Sequence, residues 1–176
     1  IASSSDGTKL AAVVYNDYIY TSTDSGVTWT QQTSSGSRYW YSIASSSDGT
    51  KLVAGASPGY IYTSTDSGAT WTQHTSAGFR NWGSVASSSD GTKLAAGVAN
   101  NYIYTSTDSG ATWTARTSSG SRSWDSIASS SDGTKLAAVV YNDYIYTSTD
   151  SGVTWTQQTS SGSRYWYSIA SSSDGT

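Results

Sequence analysis

The chain has 176 residues, nine Lys and Arg against twelve acids, and a net charge of −3. Charged residues are only 12% of it, too sparse and too acidic to track a phosphate backbone, so no nucleic-acid partner is expected. It has no Cys and one His, His74, which removes disulfides, thiolate metal sites and cysteine nucleophiles and leaves no metal or cofactor to expect.

All twelve acids are Asp. No apolar run approaches the roughly 20 residues that span a membrane, and no signal peptide is visible, so no membrane partner is expected. Ser and Thr fill 64 positions, yet 8 Trp and 14 Tyr accompany them. Disordered chains are poor in aromatics, so a packed fold is expected. The absence of Met suggests a processed form, a piece of something longer, or an engineered segment.

Self-similarity organises the whole chain. Asp6-Gly7-Thr8-Lys9-Leu10 recurs at Asp48, Asp90 and Asp132, and its first three residues recur at Asp174, always 42 residues apart. The units are 1–42, 43–84, 85–126 and 127–168, with 169–176 starting a fifth. The first three units agree at 28 of 42 positions, and residues 1–50 equal residues 127–176. Such identity points to recent duplication, deliberate design, or a window on a longer three-unit array.

The second unit shows the elements in order. Trp40–Ser46 alternates around Ile43 and Ala44 and reads as a strand, closed by an Asp48-Gly49 hairpin turn. Residues 51–56 form a small-residue apolar strand, followed by a Ser57-Pro58-Gly59 turn. Residues 60–65 alternate again, with Tyr60 and Tyr62 on one face. The Asp66-Ser67-Gly68 turn leads into a last strand through Trp71, and the loop 75–78 reaches the next unit. Four strands in one meander, with the second apolar on both faces, must be sandwiched between neighbours. The fold class is therefore all-β: a β-propeller of four-stranded antiparallel blades on a 42-residue repeat.

The third turn carries a motif. Ser22-Thr23-Asp24-Ser25-Gly26-Val27-Thr28-Trp29 has the pattern S-x-D-x-G-x-T-W, and it recurs through Asp66, Gly68 and Trp71, Asp108, Gly110 and Trp113, and Asp150, Gly152 and Trp155. An Asp accepting N–H groups across its own turn, a Gly at positive φ and a Trp covering the hairpin account for that pattern. The pattern resembles the Asp-box, or bacterial neuraminidase repeat, of sialidase-like propellers. The stretches Ser5–Leu10 and Tyr18–Asp24 are also similar to propellers of the photosystem II stability/assembly factor family.

The resemblance implies that the Asp-box turn is structural and lies away from the usual site. It implies a sialidase only if an arginine cluster and a Tyr–Glu nucleophile pair are present, and the chain has no Glu. Arg38, Arg80, Arg122 and Arg164 come one per repeat, spread around a ring. Other Asp-box enzymes use two Asp carboxylates. The acids outside the recurrent turns are Asp17, its copy Asp143, and Asp125, read as solvent-facing loop residues. No enzymatic activity is expected, and a glycoside hydrolase is a minor alternative.

The meander places the Asp-Gly and Asp-box turns at one end of each blade and the second hairpin and inter-blade loops at the other. Most positions that differ between units fall at this second end, where binding residues usually sit. The candidates for ligand contact are Arg38–Trp40, Arg80–Trp82, Arg122–Trp124 and Arg164–Trp166, with Tyr39 and Tyr41. Packing between blades is the competing role for the tryptophans. His74 reads as an exposed strand residue.

The leading expectation is a non-catalytic scaffold that recognises a protein or glycan through the variable-loop face. An engineered or purely structural self-assembling repeat protein is the alternative. Four blades in an open arc would leave two faces bare, so self-association is expected, either as two chains closing an eight-bladed ring or within a longer array. If the chain is natural, an extracellular or periplasmic location is favoured.

Overall fold

The computed structural model describes residues 1–176. Each repeat forms a four-stranded antiparallel meander, and the order of strands in space follows the order in the chain. Blade I contains Ala2–Ser3, Leu10–Val13, Ile19–Ser22 and Thr30–Gln32. Blade II contains Arg38–Ser45, Leu52–Ala56, Ile61–Ser64 and Thr72–His74. Blade III contains Trp82–Ser87, Leu94–Val98, Ile103–Ser106 and Thr114–Arg116. Blade IV contains Trp124–Ser129, Leu136–Asp143, Ile145–Ser148 and Thr156–Gln158. The first strands of successive blades contact one another and line the inside of the arc. A complete blade thus begins a few residues before the sequence unit, because its inner strand starts at the Arg-x-Trp segment.

Three apolar cores hold the four blades together, one at each junction. The trailing face of a blade, turned toward the next one, supplies a buried isoleucine from its third strand: Ile19, Ile61 and Ile103 are each 0% exposed. The leading face of the next blade supplies its inner-strand tryptophan and isoleucine or valine, its second-strand leucine and its third-strand tyrosine. At the second junction these are Trp82, Val85, Leu94 and Tyr104. The expectation of a second strand apolar on both faces is met: every residue of Leu52–Ala56 is buried. Its small residues have a specific cause. A Cβ placed on Gly55 would lie 3.0 Å from the Trp82 Cβ, and one on Gly97 would lie 2.8 Å from the Trp124 Cβ. The small residues make room for the next blade's indole.

The turns at one end of each blade are closed by their own side chains. In blade II, Asp66 Oδ1 accepts from Ser64 Oγ at 2.7 Å and from the Thr70 N–H at 2.9 Å, while Oδ2 accepts from Thr70 Oγ1 at 2.6 Å. Ser64 Oγ accepts the Gly68 N–H at 2.9 Å, and Trp71 Nε1 donates to the Gly68 carbonyl at 2.9 Å. Ser67 and Gly68 both have positive φ, 59° and 92°, so the turn leans on the conformational freedom of Gly68. The Asp-Gly turn uses the same device: Asp48 Oδ1 accepts from Ser46 Oγ at 2.6 Å and from the Thr50 N–H at 3.0 Å. The two turns are tied together by the Ser67 N–H bonding the Thr50 carbonyl at 2.8 Å. Both therefore lie at the same end of the blade, as the meander requires.

At the opposite end, one feature was not anticipated from the sequence. Tyr15–Asp17 forms an extra strand that pairs with Arg38 and Tyr39, joining the hairpin loop of blade I to the start of blade II. The copy of this pairing joins Tyr141 and Asp143 to Arg164–Tyr165. A short 3-10 turn, Thr75–Ala77 in blade II, replaces the irregular loop expected there.

Candidate functional site

The inner strand sorts its residues by alternation. Trp40, Trp82 and Trp124 turn into the blade junctions and are 2%, 0% and 2% exposed. Each lies edge-on to a tyrosine and tilted against the Trp of the same blade's Asp turn. In blade II, Trp40 is 5.0 Å from Tyr62 and 6.3 Å from Trp71 between ring centroids. The arginine two residues earlier caps this stack: Arg38, Arg80 and Arg122 lie 4.7, 4.8 and 4.5 Å over Tyr62, Tyr104 and Tyr146. Trp40, Trp82 and Trp124 therefore take the packing role that competes with ligand contact, and Trp124 also borders a cavity inside the arc. Their rings are consumed by packing, with their arginines stacked within the same blade. Trp166 is half-buried and Arg164 is exposed, with no blade beyond them.

The neighbouring residues on those strands turn the other way. Tyr41, Gly83, Asp125 and Tyr167 hold equivalent places, and all four line a cavity of about 500 Å³ inside the arc. Tyr141, Asn81, Ser57, Ala99 and Trp124 complete its wall. Two identical tyrosine clusters flank it. Tyr15 stacks on Tyr39 at 4.9 Å and meets Tyr41 edge-on at 6.0 Å. Tyr141 lies 4.9 Å from Tyr165 and 5.8 Å from Tyr167. Tyr41, Tyr141 and Tyr167 are all more than half exposed or at that limit, at 56%, 50% and 72%. Gly83 keeps the middle of the wall open.

Asp125 is the one charged residue on that wall. Desolvation raises its pKa above the usual carboxylate value, opposed by a hydrogen bond from the Tyr141 N–H. Expected as a loop acid, Asp125 instead lies on the inner strand Trp124–Ser129 and faces the cavity. Asp17 and Asp143 are engaged elsewhere. Asp143 forms an ion pair with Arg122 at 3.2 Å and accepts from Tyr146 Oη at 3.2 Å, and Asp17 accepts from Tyr20 Oη at 3.1 Å. Neither is the free solvent-facing acid expected from the sequence, and Asp125 is left as a lone carboxylate.

Arg38 and Tyr39 line a second, smaller cavity of about 260 Å³, together with Pro58, Tyr60 and Phe79. Arg38 Nε is buried there without a hydrogen-bond partner. In contrast, Arg80 Nε donates to the Ala77 carbonyl at 3.0 Å and Arg122 Nε to Tyr146 Oη at 2.8 Å. Gln32, His74 and Arg116, which differ from one another at equivalent places in the first three units, are not part of either cavity. Each pairs with the hydroxyl of the adjacent strand's threonine, as His74 Nε2 does with Thr63 Oγ1 at 2.7 Å. His74 is thus half-buried, and desolvation lowers its pKa.

No family model matches the chain, and no curated protein does. Solved β-propeller structures are similar to it. A Niastella koreensis GH74 enzyme superposes with a TM-score of 0.69 at 24% identity, over 89% of this chain and 23% of that one. The structure of YCF48 bound to D1 peptide superposes with a TM-score of 0.72 at 19% identity, over 99% of this chain and 59% of that one. The β-propeller domain of Myceliophteria thermophila Cps50 (Swd1) gives 0.70 at 14% identity, over 93% of this chain and 59% of that one. The chain spans less than two thirds of each of these structures, and at these identities the likeness is one of fold.

Proposed function

We propose that the chain is a non-catalytic propeller scaffold of the Asp-box type that binds a neutral glycan at the cavity between its two tyrosine clusters. The observation that carries this reading is the composition of the cavity wall. Exposed tyrosine rings offer flat apolar faces to the C–H faces of a sugar ring. Asp125 and Asn81 supply hydroxyl acceptors and a donor beside them. The lack of any cation on the wall disfavours acidic sugars. A second reading, recognition of an extended peptide on the same face, is supported by the likeness to YCF48 bound to D1 peptide.

A neutral-glycan array followed by calorimetry on the best ligand tests the reading. Tyr141→Ala is expected to weaken binding roughly tenfold or more, as for a central aromatic anchor. Asp125→Asn weakens it less, because an amide still offers one acceptor. Binding that is unchanged in both variants would remove the cavity from the site. A catalytic reading is disfavoured by the lone carboxylate, since glycoside hydrolysis uses a pair. Fluorogenic glycosides are expected to show no turnover, and measurable turnover that Asp125→Asn abolishes would overturn the non-catalytic assignment.

A further inference from the structure

The hairpin between the second and third strands carries a small polar device, and blade IV shows it in full. Asp143 Oδ2 accepts from Arg122 Nε at 3.2 Å and from Tyr146 Oη at 3.2 Å. Its Oδ1 accepts the Tyr144 N–H at 2.9 Å. Arg122 lies over the Tyr146 ring at 4.5 Å, so carboxylate, guanidinium and phenol hold one another. The backbone part of the device recurs in blades I and III. The Tyr18 N–H donates to Asp17 Oδ1 and the Tyr102 N–H to Asn101 Oδ1, each at 2.8 Å.

Blade II keeps the donors and lacks the acceptor. Gly59 stands where the other units have Asp17, Asn101 and Asp143. The backbone register is the same: Gly59 and Arg80 exchange N–H···O bonds at 2.9 and 2.8 Å, as Asn101 and Arg122 do at 3.2 and 3.0 Å. Arg38 lies over Tyr62 at 4.7 Å, as Arg122 lies over Tyr146. Yet no group of the protein accepts the Tyr60 N–H, and Arg38 Nε is buried without a partner. Arg38 is alone among the arginines in making no side-chain hydrogen bond. Tyr62 Oη turns to Gln73 Oε1 at 2.8 Å instead. A buried donor left unpaired costs stability, so this arrangement favours an acceptor supplied from outside.

The same place is shaped as well as charged. The cavity of about 260 Å³ has Arg38, Tyr62 and Gln73 on its polar side and Pro58, Tyr60 and Phe79 on its apolar side. Pro58 and Phe79 belong to this unit alone, since their equivalents are Asn16, Asn100 and Asn142, and Ser37, Ser121 and Ser163. In the other units those serine hydroxyls bond the asparagine carbonyls across the hairpin, at 3.3, 3.0 and 3.2 Å. Blade II gives up that bond. Phe79 instead meets Tyr60 edge-on at 5.4 Å and leaves 63% of its surface exposed. The departures Pro58, Gly59 and Phe79 thus converge on one pocket, which loses an internal acceptor and gains an apolar wall.

We propose that this cavity binds a small aromatic carboxylate. Its carboxyl group takes the position in blade II that the Asp143 side chain holds in blade IV, between Arg38, Tyr62 Oη and the Tyr60 N–H. Its ring lies against Phe79 and Tyr60. The volume is below the roughly 300–1,000 Å³ of pockets for drug-sized ligands, which favours a single-ring acid. The site shares no residue with the tyrosine-lined cavity inside the arc, whose one charged residue is Asp125. The two cavities therefore take ligands of different charge.

Calorimetric titration of the 176-residue chain with benzoate and phenylacetate tests the proposal, with benzamide and acetate as controls. Saturable binding of at least one of the two aromatic acids is expected. Benzamide, which lacks the charge, and acetate, which lacks the ring, are expected to bind about tenfold or more weakly. Arg38→Gln is expected to weaken the aromatic acid about tenfold or more. Pro58→Asn with Gly59→Asp is expected to abolish binding, because the introduced side chain supplies the carboxylate from within. A Cβ on Gly59 lies 2.7 Å from the Ala56 Cβ, so that hairpin must shift, and a circular dichroism melt checks that the variant is folded. Phe79→Ser, at an exposed position where the other units carry serine, keeps the test valid if it is not, and is expected to weaken binding roughly threefold. No saturable binding of either aromatic acid, equal binding of benzamide, or binding indifferent to Arg38→Gln or to Phe79→Ser overturns the proposal.

Discussion

Replacing Trp82 with alanine is expected to remove a large part of the stability of the fold. The indole is 0% exposed and packs between blades II and III against Val53, Ile61 and Tyr104. Deleting a fully buried Trp costs about 3–5 kcal/mol, against about 5–15 kcal/mol for a typical domain. A fall in Tm of roughly 10 °C is expected for a chain of this size. Val27→Ala is the control: Val27 is 81% exposed, and the equivalent positions in blades II and III are already Ala69 and Ala111. The phenylalanine variants separate bulk from hydrogen bonding. Trp124 Nε1 donates to the Asn101 carbonyl at 3.1 Å, whereas Trp82 Nε1 is buried without a partner. Trp82→Phe is therefore expected to cost less than Trp124→Phe, since only the second loses a hydrogen bond, although the Asn101 carbonyl keeps the Arg122 N–H at 3.0 Å. Thermal unfolding followed by circular dichroism checks the order, and equal costs would mean that the two indole sites are equivalent.

Acid is expected to unfold the protein through its turns. The Asp-Gly carboxylates Asp6, Asp48, Asp90 and Asp174 are lowered to about 2, chiefly by the serine hydroxyl two residues earlier. Asp24, Asp108 and Asp150 are lowered to about 2, chiefly by the threonine hydroxyl four residues later. Asp66 and Asp132 are lowered by the same two devices. A carboxylate with a depressed folded pKa binds fewer protons than in the unfolded chain between the two values. Its stabilisation is complete above the unfolded value of about 3.9 and is lost as pH falls through about 2. These groups are exposed, so each contributes modestly. They act in parallel, so Tm is expected to be level above about pH 5 from these groups and to fall steeply below pH 4. The slope of Tm against pH gives the number of protons taken up, and a value of one or fewer would show that the turns do not act together. Thr70→Val, which removes the hydroxyl on Asp66, is expected to make the acid transition shallower.

The candidate site was half legible in the sequence. The loop-bearing end of the blades was identified from the meander, and Tyr39 and Tyr41 do lie beside cavities there. The Arg-x-Trp pairs were more conspicuous, because they recur in every unit. Recurrence at that level reflects a contact repeated at every junction, and the structure spends the indoles on it. Asn81 and Asp125 were passed over because each occurs at its place in one unit only, and Tyr141 because its segment reads as a hairpin loop instead of the strand extension it forms. A period-2 reading from the buried Trp would have found the residues two-sided to it: the residue next to each indole turns away from the junction and toward the inside of the arc.

The sequence by itself determined the blade. Its period, its turn residues and its alternation are local, and each strand needs only the next one to pair with. Tertiary structure alone decided where the side chains went once blades met. Gly55 and Gly97 look like arbitrary small residues until the next blade's indole is seen 3.0 and 2.8 Å from the Cβ that each would carry. Tyr15 and Tyr39 are distant in sequence until the hairpin loop pairs with the following inner strand. Which faces are covered depends on neighbours a full repeat away, so identical residues such as Ile19 and Ile145 end in different environments.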